Sequence, residues 1–115
     1  MIRRILIANR GEIAVRVIRT CQEMGIETVA IYSDADKEAL HAQLADVRLR
    51  VGTEDAFDSY LNREAIIDAA KTAEADAVHP GYGFLSEDAD FAQMVVDAGM
   101  TWIGPLPETI RLVGD

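Results

Sequence analysis

The hydrophobic positions of the chain follow two alternating patterns. Short apolar runs such as residues 5–8 are typical of strands covered on both faces, and apolar residues at every third or fourth position are typical of helices. Because the two patterns alternate, we expect right-handed βαβ units and a parallel sheet. The strict alternation of residues 47–51 indicates a strand with one solvated face near a sheet edge. The predicted strands are residues 5–8, 28–32, 47–51, 77–79 and 101–103.

Turn and capping residues mark the ends of the predicted helices. Asn9 and Glu12 have the spacing of a capping box, so we expect Asn9 to cap a first helix that ends at Gly25. Asn62 is expected to cap a helix that continues to about Ala73. Together these elements predict a small α/β domain with a doubly wound parallel sheet. Further helices are predicted over residues 37–45, 87–98 and 107–113.

Composition narrows the class of protein. The 115 residues carry 11 lysines and arginines against 20 aspartates and glutamates, a formal charge of −9, and half are apolar. This length predicts one domain with its own core, and a single cysteine with two histidines argues against a disulfide framework or a structural zinc site. The acidic balance argues against nucleic-acid binding. Without a membrane-length apolar run or a signal-peptide pattern, we expect a cytoplasmic protein with no membrane partner.

The loop after the first strand lies where dinucleotide-binding folds hold a pyrophosphate. Asp34, after the second strand, has the position of the acid that contacts a ribose in such folds. The phosphate fingerprint needs three glycines, however, and here Gly11 stands alone beside the negative charge of Glu12. Simple helix capping is therefore favoured over phosphate binding. Arg10 has either a functional role or only a loop charge, and the sequence leaves both open.

The loop that follows the fourth predicted strand carries a second glycine cluster. Parallel sheets bind ligands at the carboxyl ends of their strands, and this loop begins there. Tyr82 lies between two glycines, which favours an outward ring on a backbone that a ligand can approach closely. The alternative is a tight turn whose Phe84 and Leu85 fill the core, which explains those two residues well and Tyr82 poorly.

The remaining polar residues favour structural roles. His79 is more typical of a strand-end histidine than of a general base, and Ser86 and Glu87 suit the start of the next helix. Cys21 lies on the apolar side of its helix, so no nucleophile–histidine pair can be assembled. The acids at residues 34–36 and 54–55 are expected to lie in solvated turns, and no metal ligands are predicted.

The polar side of the first helix carries Arg16, Arg19 and Glu23. Arg19 and Glu23 are four residues apart with the cation first, the weaker order for a pair within one helix. Under a two-fold axis, Arg19 of one subunit can instead meet Glu23 of the other. From the residues alone, a solvated helix face remains the default.

Four stretches of the sequence form a recognisable set in this order and spacing. They are IANRGEIA at residues 7–14, SYLN at 59–62, HPGYGFLSE at 79–87, and IGP at 103–105 with IRLVGD at 110–115. Together they resemble the N-terminal domain of biotin carboxylase, a component of acetyl-CoA, propionyl-CoA and pyruvate carboxylases. The resemblance covers the whole chain without insertions, and it implies a Rossmann-like domain that precedes an ATP-grasp domain.

The resemblance implies the activity of an ATP-dependent ligase. In this family ATP and bicarbonate form carboxyphosphate, two Mg²⁺ ions bridge the nucleotide phosphates, and the carboxyl group passes to the N1 nitrogen of biotin on its carrier. The implied partners are ATP-grasp and C-terminal domains of the same enzyme, a biotin carboxyl carrier protein or domain, a carboxyltransferase and a second copy of the enzyme. We expect the ATP-grasp and C-terminal domains to be absent from residues 1–115, so this chain alone is predicted to be inactive and to hold no cofactor.

The resemblance also implies residue roles. Tyr82 and Gly83 match positions that line the biotin pocket, and no catalytic residue is expected in this domain. Among their neighbours, His79, Ser86 and Glu87 are carried over as supporting residues.

The same resemblance assigns a surface to the first helix. Arg19 and Glu23 match positions at the family's dimer interface, and Arg16 lies close by. Asn9 and the three residues that follow it match a family signature without an assigned role. Two alternatives stay open: a stand-alone Rossmann-like nucleotide-binding module, and an interaction domain that docks through Arg16, Arg19 and Glu23.

Overall fold

Five parallel strands form one sheet in the computed structural model, which describes residues 1–114. The α/β class and the parallel sheet predicted from the sequence are therefore confirmed. The strands are β1 (Arg4–Ile7), β2 (Glu27–Ser33), β3 (Val47–Gly52), β4 (Ala77–His79) and β5 (Thr101–Trp102). The helices are α1 (Gly11–Glu23), α2 (Leu40–Leu44), α3 (Arg63–Thr72), α4 (Ala89–Asp97) and α5 (Pro107–Gly114), with 3₁₀ turns at Asp34–Asp36 and Ala56–Asp58.

The strand order places β1 at the centre of the sheet. The order is β3-β2-β1-β4-β5, so the chain builds outward from β1 in one direction and then returns to its other side. This is the order of the first five strands of doubly wound sheets, and it makes the crevice between the carboxyl ends of β1 and β4 the topological switch point. Strand β3 lies at an edge, as its alternating pattern predicted.

The core has two layers because alternate strand residues face opposite sides of the sheet. Ile5 and Ile7 pack with Ile18 and the buried Cys21 of α1, as expected for an apolar helix face. Leu6 points to the other layer, which α3 and α4 complete. In that layer the rings of Phe91 and Trp102 meet edge to face, with centroids 5.7 Å apart.

The ends of the helices confirm some capping predictions and correct others. Asn62 caps α3, its side-chain oxygen accepting from the Ala65 N–H at 3.0 Å. Helix α4 begins at Ala89 rather than near residue 87, because the Asp88 carboxylate accepts from the Phe91 N–H at 2.9 Å and defines the cap. Helix α2 is shorter than the predicted residues 37–45, because residues 37–38 form a turn and Ala39 has extended backbone.

The ends of the chain add two observations. Helix α5 occupies the last predicted helical segment, and Asp115, the final residue of the fourth matching stretch, lies outside the described residues. Within residues 1–114, no helix combines the length and the apolar character needed to cross a bilayer.

Candidate functional site at the switch point

The side chain of Asn9 connects the two loops that follow β1 and β4 at the switch point. We call residues 8–10 the β1 loop and residues 80–88 the β4 loop. The Asn9 side-chain Nδ2 donates to the carbonyl oxygens of Pro80 at 2.9 Å and of Tyr82 at 2.6 Å. Its Oδ1 accepts from the Arg10 N–H at 2.8 Å. Only 2% of Asn9 is exposed, so its amide is a buried bridge between the loops.

This bridge overturns the prediction that Asn9 caps the first helix. Arg10 occupies the N-cap position of α1 with extended backbone, and no side chain makes the capping bond there. The capping box with Glu12 is therefore wrong. The physical reason is competition, because the buried Asn9 amide donates to the Pro80 and Tyr82 carbonyls across the sheet, and burying that amide unpaired costs more free energy than leaving an exposed helix start uncapped.

Gly81 is the residue that lets the two loops approach. Its φ of +66° lies in the left-handed region, and a Cβ at this position would stand 2.7 Å from Asn9 Nδ2. The Gly81 N–H donates to His79 Nδ1 at 3.0 Å. Burial lowers the pKa of His79, so its ring is neutral at pH 7, and its bonded nitrogen is an acceptor for the backbone.

The β4 loop presents Tyr82 to solvent while anchoring itself in the core. The Tyr82 side chain is 80% exposed, and Gly83, at φ +69°, has open space around it. Leu85 is buried, and Phe84 packs its ring on Tyr60 with centroids 5.3 Å apart. The second interpretation is therefore confirmed for Leu85 and wrong for Phe84, which is 37% exposed, and Tyr82 remains outside the core as the first interpretation expected.

Asp36 forms the second buried polar centre at this end of the sheet. The Arg10 guanidinium donates to both of its carboxylate oxygens, from Nε at 2.5 Å and from Nη2 at 2.8 Å. The Tyr60 hydroxyl donates to Asp36 Oδ2 at 2.6 Å and accepts from the Ser33 N–H at 3.1 Å. The hydrogen bonds from Arg10, and then that from Tyr60, lower the pKa of Asp36 to about 2.

These contacts correct the interpretation of the acids at residues 34–36. Asp36 was expected in a solvated turn, yet its side chain is only 9% exposed because the bidentate Arg10 pair compensates its burial. Asp34 is exposed as expected and pairs with Arg50 at 2.6 Å. Burial, followed by the bond to Asp36, raises the pKa of Tyr60 to about 12. Sequence reasoning gave Tyr60 no role, although it stands in the SYLN stretch.

The predicted supporting residues Ser86 and Glu87 lie in the second half of the β4 loop. The Ser86 N–H donates to the Gly83 carbonyl at 2.9 Å, which keeps Ser86 within the turn, and Glu87 is exposed. The neighbouring Asp88 accepts from Arg63 at 2.6 Å and ties the start of α4 to α3. In the described part of the chain, no group of three acidic, histidine or cysteine side chains converges as a metal site would require.

The polar face of α1 is exposed to solvent. Arg16, Arg19 and Glu23 are all exposed, and none of the three forms a salt bridge with another residue in the range 1–114. Beside this face lies an apolar groove of about 410 Å³, lined by Ile5, Val17, Cys21, Ile26 and Ile103 among others. Helix α1 contacts β1 and β2, and the groove extends from α1 to Ile103, the residue that follows β5.

Comparisons with known proteins place this architecture among the carboxylases. A family model described as the biotin carboxylase N-terminal domain matches residues 1–110. The chain is 56% identical over 115 residues to a biotin carboxylase of Allochromatium vinosum, covering all of this chain and 26% of that protein. It is 57% identical over 114 residues to the mitochondrial methylcrotonoyl-CoA carboxylase subunit alpha of Oryza sativa, covering 99% of this chain and 16% of that protein. The chain thus spans about a quarter or less of these relatives.

Solved structures give the same likeness in three dimensions. The biotin carboxylase subunit of pyruvate carboxylase matches with a TM-score of 0.95 and 53% identity, over 100% of this chain and 25% of that one. The urea amidolyase of K. lactis matches with a TM-score of 0.98 and 45% identity, over 99% of this chain and 7% of that one. An ADP-bound biotin carboxylase domain of a thermophilic 2-oxoglutarate carboxylase matches with a TM-score of 0.95 and 49% identity, over 100% and 25%.

Proposed function

Because the chain belongs to the family of biotin carboxylase N-terminal domains, we propose that it is the first domain of an ATP-dependent biotin carboxylase and forms one wall of its biotin site. In the complete enzyme, ATP phosphorylates bicarbonate, and the carboxyl group of the resulting carboxyphosphate passes to biotin N1 with release of phosphate. The biotin is carried by a carrier protein or domain, and a carboxyltransferase receives the carboxyl group from it.

The exposed ring of Tyr82 at the switch point carries this proposal. The ring lies on the β4 loop, at the carboxyl ends of the strands, where ligands of such folds bind. An aromatic face offers a bicyclic ligand a flat apolar contact, and the open backbone at Gly83 allows close approach beside it. His79 and Ser86 support this loop from its flanks, through the His79 bond to Gly81 and the turn at Ser86, and we infer a supporting role for the exposed Glu87 from the family resemblance alone.

The ATP phosphates belong to another part of the enzyme. In the β1 loop Arg10 is committed to Asp36, and exposed Glu12 follows a single glycine, so no cradle for a triphosphate is present at α1. We place ATP and its Mg²⁺ ions in ATP-grasp and C-terminal domains elsewhere in the polypeptide. Residues 1–115 alone are accordingly expected to be inactive. Titration calorimetry with Mg-ATP and a bicarbonate-dependent ATPase assay test this, and substantial turnover by the isolated chain would contradict it.

Two further surfaces fit partners within the assembly. The apolar groove beside α1 exposes side chains that the remaining domains can cover, which removes apolar area from water. The unpaired charges of Arg16, Arg19 and Glu23 suit a two-fold contact with a second copy. The cytoplasmic location stays a prediction. A stand-alone nucleotide-binding or docking module is less well supported, since Arg10 is already paired and this segment is a minor part of each relative.

Replacing Tyr82 in the complete enzyme tests the biotin site. Tyr82→Ala should raise the KM for free biotin about tenfold, the loss of one aromatic stacking contact, with the KM for ATP changed by less than about twofold. Phe57→Ala is the matched control, because Phe57 is similarly exposed on the loop after β3 and has no assigned contact with biotin. Equal losses for biotin and ATP after Tyr82→Ala would contradict the pocket assignment.

A further inference from the structure

We propose that Asn9 is a positioning residue for the biotin site: its buried amide holds the β4 loop in the conformation that presents Tyr82 and Gly83. This inference rests on the proposed function, since it concerns the same loop. It assigns a role to a buried residue that acts on the loop through the two backbone carbonyls to which its amide donates.

The two carbonyls belong to Pro80 and Tyr82, the residues on either side of Gly81. Both hydrogens of the Asn9 amide are used, one on Pro80 and one on Tyr82, and the amide is shielded from water. Because a buried amide that loses its acceptors costs free energy, these bonds resist any rotation of the two peptide planes. The loop therefore keeps one backbone shape although three of its residues, Gly81, Gly83 and Phe84, have positive φ.

Holding the Tyr82 carbonyl also aims the next backbone donor. The planar trans peptide places the Gly83 N–H on the opposite side from the Tyr82 oxygen. Since that oxygen points at Asn9, the Gly83 N–H points away from the buried amide, and it has no acceptor among the described residues. Asn9 thus fixes the direction of a free hydrogen-bond donor next to the exposed ring.

The asparagine is also the residue type that this geometry demands. Its oxygen accepts from the Arg10 N–H while its nitrogen donates twice, so both ends of the amide are satisfied. Aspartate keeps the acceptor and loses both donors, and it sets a carboxylate against two carbonyl oxygens. Asn9→Asp is consequently a nearly isosteric change that breaks the bridge alone.

The test compares Asn9→Asp with Asn62→Asp in the complete enzyme. Asn62 caps α3 through its accepting oxygen, which aspartate retains, and its Nδ2 makes only a long, exposed contact of 3.5 Å with the Asp58 carbonyl. The control therefore makes the same chemical change without touching the β4 loop. We expect Asn9→Asp to raise the KM for free biotin about fivefold or more, with the KM for ATP and the biotin-independent ATPase within about twofold. In the Tyr82→Ala background, Asn9→Asp should raise the KM for biotin by a smaller factor than it does in the otherwise unchanged enzyme, because part of its effect is exerted through the Tyr82 ring.

A second variant approaches the same bridge from the other side. Gly81→Ala places a methyl group against Asn9 Nδ2 and should raise the biotin KM as Asn9→Asp does, even if Asn9→Asp fails to fold. Gly99→Ala controls for the cost of a positive φ, since Gly99 has φ +84° and open space.

The possible outcomes distinguish failure of the role proposed for Asn9 from failure of the proposed function. If Tyr82→Ala raises the biotin KM while Asn9→Asp and Gly81→Ala leave it unchanged, the positioning role is wrong and the biotin site stands. If Asn9→Asp lowers use of ATP and biotin equally, Asn9 serves general stability and the proposal fails. If Tyr82→Ala itself has no effect on biotin, the proposed site fails, and the role of Asn9 with it.

Discussion

The hydroxyl of Tyr60 donates to the carboxylate of Asp36 at 2.6 Å, and this bond connects the loops of four neighbouring strands. Asp36 follows β2 and binds Arg10, which follows β1. Tyr60 follows β3, and its ring packs against Phe84 in the β4 loop. At the carboxyl end of the sheet, where the proposed site lies, the four loops are therefore joined by one connected set of contacts.

Removing the Tyr60 hydroxyl should weaken the contacts between these loops while the Tyr60 ring stays in place. Tyr60→Phe keeps the ring on Phe84 but leaves Asp36 with one donor fewer and the Ser33 N–H without an acceptor. We expect a loss of about 1–2 kcal/mol in the free energy of unfolding, measured by urea denaturation. Tyr32→Phe is the control, because the Tyr32 hydroxyl makes no hydrogen bond within residues 1–114. Equal effects of the two variants would argue against the network.

The carboxylate of Asp36 should make stability depend on pH in a defined window. Its pKa of about 2 in the folded chain lies below the usual value near 3.9, so the ionised form is favoured by folding. The resulting stabilisation, about 2–3 kcal/mol, is complete above pH 5 and is lost as the pH falls from about 4 through 2. Asp36→Asn should therefore destabilise the chain at pH 6 and much less at pH 2.5. A constant difference between the two proteins across this range would refute the assignment.

Gly81 should tolerate a side chain less well than a glycine of similar backbone conformation. Gly81→Ala combines the strain of a left-handed alanine with the close contact to Asn9, whereas Gly99→Ala carries the strain alone. We expect Gly99→Ala to cost about 1 kcal/mol in unfolding free energy and Gly81→Ala at least about 1 kcal/mol more. Thermal and urea unfolding of both variants provide the comparison, and similar losses would mean that the Asn9 side chain moves aside freely.

The polar face of α1 should control association of the complete enzyme. Arg19→Glu places a negative charge opposite Glu23 of the second copy and should shift the enzyme from dimer toward monomer in sedimentation velocity. The double variant Arg19→Glu with Glu23→Arg restores opposite charges and should recover the dimer. Arg48→Glu, a charge reversal at an exposed position of edge strand β3, is the control. Unchanged dimer in the Arg19→Glu protein would leave the α1 face without its proposed role.

Much of the fold follows from local patterns in the sequence. The apolar run near residues 5–8 identifies the central strand, because a strand that is buried on both faces is apolar throughout. The alternation in residues 47–51 identifies the edge strand, because a strand that is buried on one face has apolar residues only at every second position. Local capping also succeeds at Asn62, where the acceptor and the Ala65 N–H lie three residues apart. At the site, exposure of Tyr82 follows from its flanking glycines, and burial of Leu85 from its apolar neighbours.

The same reasoning fails for Asn9, Asp36 and Tyr60 because their partners are distant in sequence. Asn9 bonds across 73 residues to the β4 loop, and Tyr60 bonds across 24 residues to Asp36. An asparagine before a helix has a local use as a cap, and nothing within a window of ten residues reveals the buried carbonyls that compete for it. The position of β4 beside β1, which brings those carbonyls within reach, is a property of the strand order.

By itself, the amino-acid sequence determined the class of fold, the approximate position of each strand and helix, and the family, since these depend on periodicity and on motifs read along the chain. The tertiary structure alone decided which polar groups are buried together at the switch point. That choice depends on desolvation, which penalises every unpaired donor or acceptor, and the identity of each partner exists only once the sheet has assembled.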